Sequence, residues 1–443
     1  MSFNELPTVL IKYLASFFDT VSLYKLSITN KRFFALFSHI TVLLGIIKSN
    51  IPYPEKIEKK KLSTYTNSSL NKNLLHYSCQ NTQVSIDLIK YLLLESKFEM
   101  NLRDSNQNTA LDLAVSNQSC PPDVIEYLIK NKSDPNLRGK YLNAPLHYET
   151  KSQKISIDTI KTLVENKAEL NICDHYYYTP LHYACCNENT TFEILKYLVE
   201  SKSNLNAKNE IGSNALLHAS KNPTFELKML KYLIEMKSNL FCENNFEYSI
   251  LHFACENKKI SLRNIKYFLK QKCDLNSVND NLSTPLHIAC ENKSSTSELI
   301  SFLINNKSFV NFQNSKKNIA LHFYCKKEDV SFDILKLFVE FKSDLNLQNV
   351  FSLSPLHFAC ENEKFSFEMI EYLIENKALL NLKDRNNHTP LTYSLRNYSL
   401  RQQMELKYVT TEPKKEVEAN QILKNQIFVE DVPTTENSCC TIN

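Results

Sequence analysis

The chain has 443 residues, beyond the roughly 250–300 at which one hydrophobic core stops growing, so several domains or a stack of repeats is expected. Fifty-two lysines and arginines against 48 aspartates and glutamates leave +4, too even a balance to point to nucleic acid or acidic lipid. Glycine occurs only at Gly45, Gly139 and Gly212, which excludes glycine-rich phosphate loops and dinucleotide fingerprints, and no apolar run reaches the roughly 18–20 residues of a membrane span.

Residues 4–34, NELPTVLIKYLASFFDTVSLYKLSITNKRFF, share no motif with the rest of the chain. Leu6-Pro7 opens a helix-favouring stretch with Leu10, Ile11 and Leu14 on one face. After Phe17-Phe18-Asp19, a second segment carries Leu23 and Leu26 and ends in Lys31-Arg32-Phe33. This spacing resembles the F-box, with Val9 where an acid is common and Thr29-Asn30 where valine-cysteine is common. The resemblance implies a small helical domain over residues 1–49. In it, Leu6, Pro7, Leu10, Ile11 and Leu14 would help dock the Skp-type linker subunit of a cullin–RING ubiquitin ligase. A plain helical cap for the repeats is the alternative. The first residues are polar and acidic rather than basic and then apolar, so no secretory signal is expected and the address is cytoplasm or nucleus. Residues 50–62, NIPYPEKIEKKKL, combine two prolines with a charge run and read as a linker.

From residue 63 to 404 the chain repeats. Leu75-His76 returns as Leu111-Asp112, Leu146-His147, Leu181-His182, Leu216-Leu217, Leu251-His252, Leu286-His287, Leu321-His322, Leu356-His357 and Leu391-Thr392. The first interval is 36 residues and the next eight are 35. Within one unit, TPLHYACCNE (179–188) predicts a short helix with Pro180 in its first turn, where a missing amide hydrogen is harmless. TFEILKYLVESK (191–202) predicts a longer amphipathic helix, and the asparagine-rich 203–214 a turn or hairpin. The units resemble the ankyrin repeat, whose T-P-L-H-x-A signature stands at Thr179–Cys185, Thr284–Cys290 and Ser354–Cys360. The resemblance implies a mainly α solenoid of about ten 35-residue helix-turn-helix units with hairpin loops. Three features depart from the family pattern. Two extra residues fall between the helices, at segments such as Cys255–Ser261. A lysine replaces the glycine after the second helix in every copy, from Lys97 to Lys377. The tenth unit is expected to stop at or before its second helix.

Seven of the eleven histidines occupy the anchor position, with no ligand constellation beside them, and the resemblance implies that they brace the backbone. No catalytic set, metal or cofactor is expected. Cys79, Cys185, Cys255, Cys290, Cys325 and Cys360, each three residues after the anchor, read as small buried hydrophobes in the reduced state. The in-phase lysines read as helix C-terminal cations rather than a rail for nucleic acid. At the hairpin tips stand KYLN (140–143), HYYY (175–178), NFEY (245–248) and VFSL (350–353). Tyr141, Tyr176, Tyr177, Phe246, Tyr248 and Phe351 are therefore expected to contact a target protein.

Residues 405–443 carry seven acids and four lysines with little apolar periodicity and read as a flexible tail. Its end, Cys440-Thr441-Ile442-Asn443, has the shape of a prenylation box with Cys439 as a palmitoylation partner, although asparagine is not a typical last residue. Membrane contact is expected only if Cys440 is lipidated. The sequence as a whole points to a binding adaptor that uses its repeats to hold a target protein and its head to join a ubiquitin ligase. A ligase-independent scaffold is the alternative.

Overall fold

The computed structural model describes residues 66–67, 72–82, 84–95, 98–257, 262–394, 398–404 and 407–408. The head with Leu6, Pro7, Leu10, Ile11 and Leu14, the linker, Lys97, and the tail end with Cys439 and Cys440 lie outside the described residues. The fold is a helical repeat solenoid, and the chain divides into two compact units, 1–299 and 300–443.

The first unit opens with a two-residue antiparallel ladder, β1 (Thr66–Asn67) on β2 (Lys72–Asn73). Pairs of a short and a longer helix follow: α1 (Leu74–Gln80) with α2 (Ile86–Glu95), and α3 (Ala110–Ser116) with α4 (Pro122–Lys130). Next come α5 (Pro145–Lys151) with α6 (Ile157–Glu165), and α7 (Pro180–Cys186) with α8 (Phe192–Glu200). Then come α9 (Ala215–Lys221) with α10 (Leu227–Glu235), α11 (Ile250–Glu256) with α12 (Leu262–Lys270), and α13 (Pro285–Glu291) with the start of α14 (Ser297–Asn305). The second unit holds α15 (Ala320–Lys326) with α16 (Phe332–Glu340), α17 (Pro355–Glu361) with α18 (Phe367–Glu375), and α19 (Pro390–Tyr393) with α20 (Tyr398–Met404). α20, packed on α18, is the second helix of the tenth unit.

A seven-residue helix is not stable alone, because the cost of nucleation exceeds what so few bonds return. The short helices persist through end caps and packing. In α7, Pro180 sits at N1 and Thr179 at the N-cap, with the Thr179 amide donating to His182 Nδ1 at 3.1 Å. The anchor leucines Leu181, Leu216, Leu251 and Leu286 are 0 % exposed, each contributing about 2 kcal/mol of burial. Ile194, Leu195 and Leu198 bring the apolar face of α8 onto this row. Cys79, Cys185, Cys255, Cys290, Cys325 and Cys360 are buried. Burial pushes the Cys255 and Cys360 thiols up to about 12, so they stay protonated and unreactive.

Candidate binding edge

Every described hairpin but one is shaped by an aspartate or asparagine. Asp174 Oδ1 accepts the amides of Tyr176 and Tyr178, both at 2.9 Å, and Asn244 Oδ1 does the same for Phe246 (3.0 Å) and Tyr248 (2.9 Å). Asn349 repeats this with Phe351 and Leu353 in the second unit. The side chain thus acts as one more carbonyl and closes the turn. Three residues after it the chain turns left-handed, with φ +59° at Tyr177, +58° at Glu247 and +59° at Ser352. Gly139 stands where the acid or amide belongs, and that tip instead forms a single 3-10 turn over Lys140–Leu142 with φ +56° at Tyr141.

Adjacent tips are tied through the backbone. His175 N–H donates to the Tyr141 carbonyl at 2.9 Å, Glu210 to Tyr176 at 2.9 Å, Asn245 to Ile211 at 2.8 Å, and Asp280 to Phe246 at 3.0 Å. Five consecutive tips of the first unit therefore form one edge. Along it Tyr141 is 56 % exposed, Tyr176 47 %, Tyr177 60 % and Phe246 47 %. Phe351 is also exposed, in the second unit, with the Arg385 guanidinium over its ring. Tyr248 departs from the sequence expectation. It is half-buried and packs its ring on His252 and Phe253, because the hairpin sends the residue two after the outward Phe246 back toward the helix. Leu142 and Leu282 also belong to the exposed edge.

Behind the tips lies an aromatic and polar floor. Tyr178 stacks on Tyr183 with centroids 5.0 Å apart, and Tyr183 donates its hydroxyl to Asp174 Oδ2. Lys151 reaches over from the preceding unit to Asp174 (3.7 Å), to Asn143 Oδ1 (2.6 Å) and to the face of Tyr183 (3.8 Å). The buried carboxylate is thereby fully partnered, and the floor is rigid rather than reactive.

The anchor histidines use both ring nitrogens. In His182, Nδ1 accepts from Thr179 N–H, so Nε2 carries the proton and donates to the Ser213 carbonyl of the next unit at 3.1 Å. His147 and His252 do the same toward Tyr178 and Ser283. Burial holds their imidazoles down to about 4. Asp112, standing in for histidine, accepts from Thr109, and burial raises its carboxyl to about 7. These groups brace the stack.

The in-phase lysines have a role the helix dipole alone does not describe. The eight from Lys132 to Lys377 have φ between +59° and +74°. Lys202 N–H donates to Val199 O and Ser203 N–H to Leu198 O, the paired bonds of a Schellman cap. Asparagines of the preceding unit complete the corner. Asn171 Nδ2 donates to Lys202 O at 3.3 Å while its Oδ1 accepts Asn204 N–H at 2.6 Å, and Asn136, Asn206, Asn311 and Asn346 repeat the pattern. The 35-residue recurrence of asparagine at these positions was the signal for this ladder.

A family model described as ankyrin repeats (3 copies) matches residues 39–139, 146–240, 224–314 and 321–406, together most of the chain. The first match begins inside the segment assigned to the head. No curated protein matches the chain.

Proposed function

This chain belongs to the ankyrin-repeat family, and we propose that it is the target-recognition adaptor of a cullin–RING ubiquitin ligase. Ankyrin repeats bind other proteins, so protein–protein interaction is the role at its coarsest. The observation that carries the binding half is the edge of exposed rings, Tyr141, Tyr176, Tyr177 and Phe246, on tips joined by backbone bonds. Aromatic side chains have few rotatable bonds, and on tips whose backbone is already fixed they lose little entropy when a partner covers them.

The ligase half is supported by the head, where Leu6, Pro7, Leu10, Ile11 and Leu14 stand at F-box spacing and would dock a Skp-type subunit. The chain would then act by proximity. Two sites on one polypeptide hold target and ligase together, so transfer onto the target becomes effectively intramolecular while the adaptor itself breaks no bond. A pull-down of a Skp-type subunit by the full chain tests this, with Leu6→Ala plus Pro7→Ala as the comparison. Retention by the wild type and its loss in the variant, at equal thermal melting, is expected. Failure of the wild type to retain the subunit rejects the ligase half and leaves a ligase-independent scaffold. The C-terminal Cys440-Thr441-Ile442-Asn443 favours a membrane-tethered form of that scaffold, which an intact mass equal to the bare chain from a prenylating host would eliminate.

A further inference from the structure

The exposed charges along the five tied tips of the first unit are segregated. At the first tip, Arg138 and Lys140 are both exposed and carry two positive charges. The middle tips are balanced, with Asp174 buried against Lys151, and Lys208 beside Glu210. The last two carry Glu243, Glu247 and Asp280, all exposed, and three negative charges. The apolar rings lie between these ends or among them. We propose that this edge recognises an extended peptide segment of a target protein, acidic at one end, apolar or aromatic in its centre and basic at the other.

The reading rests on the tip edge being the binding surface, and adds the chemistry of what it holds. Stacked helices lie about 8–10 Å apart, so five tips span on the order of 40 Å. An extended strand advances about 3.3 Å per residue, giving a footprint of roughly 12 residues. A peptide of that length with one sign of charge would meet attraction at one end and repulsion at the other. Segregated charge is therefore what the edge selects, and it fixes the direction in which the segment lies.

The test is selection of 16-residue peptides from a displayed random library on the full chain. Recovered sequences are then measured against three variants: Arg138→Glu with Lys140→Glu; those two with Glu243→Lys, Glu247→Lys and Asp280→Lys; and alanine at Tyr141, Tyr176, Tyr177 and Phe246. Thermal melting confirms that each variant folds. The expected result is enrichment of peptides with acids and bases at opposite ends, which lose affinity by about tenfold or more on each variant. Peptides without charge segregation, or indifferent to the charge reversals yet lost with the alanine set, overturn this inference and leave the binding edge standing. Recovery of no binder, or of binders indifferent to all three variants, overturns both.

Discussion

A lysine at a left-handed backbone position is costly, because Cβ crowds the following carbonyl by about 1 kcal/mol or more where glycine would not. Lys202 and Lys237 accept this strain because the Schellman bonds and the asparagine of the preceding unit fix the corner from both sides. Lys202→Gly and Lys237→Gly should each raise stability by roughly 1 kcal/mol, seen as a higher urea midpoint at unchanged slope. The histidines set the acid response. With His147 and His252 held at about 4 against an unfolded value near 6.5, the unfolded chain takes up protons first as pH falls. Their stabilisation is complete above about pH 6.5 and is lost on the way down to about 4, on the order of 3 kcal/mol for each. Asp112 has the opposite sign. Its carboxyl, raised to about 7, contributes fully below the unfolded value near 4 and loses that contribution as pH rises through 7. Urea titrations from pH 4 to 8 should therefore show a steep acid limb, and Asp112→His should raise the midpoint at pH 7.5 and above. A flat acid limb would contradict the histidine account.

Between neighbouring units three kinds of rung recur. The units carrying α7 and α9 share all three: His182 to Ser213 O, Asn206 to Lys237 O and Asn239 N–H, and Asn222 Nδ2 to the carbonyls of Cys185 and Asn187. The next junction, toward α11, keeps only the third, through Asn257. Leu217 stands where the histidine belongs and Phe241, 67 % exposed, where the asparagine belongs. The Lys221–Glu256 pair at 2.7 Å compensates in part. Hydrogen exchange at the Asp274 amide should be faster than at Asn239 and Asp344, whose amides donate to Asn206 and Asn311. Phe241→Asn should slow it and add about 1 kcal/mol per bond gained. Equal exchange in both proteins would show that the missing rung does not weaken the junction.

At the scale of the molecule, the repeat architecture was legible because one leucine per unit must be buried at a fixed period, and Leu75 through Leu391 mark that period. The hairpins were legible from their asparagines, and the bracing histidines from their regular place. What could not be read was conformation that opposes intrinsic preference, as at Lys202, and the side to which a ring turns, as with Phe246 outward and Tyr248 inward. Both depend on bonds to the neighbouring unit or to the turn, which no single segment of sequence contains. The proposed roles of Leu6 to Leu14 and of the pair Cys439 and Cys440 rest on sequence alone. The central claim is that the hairpin-tip edge holds the target. It is tested most directly by comparing proteins captured on the immobilised full chain with those captured by the variant carrying alanine at Tyr141, Tyr176, Tyr177 and Phe246. The account predicts that specific partners disappear while melting and Skp-type subunit binding are unchanged; an identical set of captured partners would contradict it.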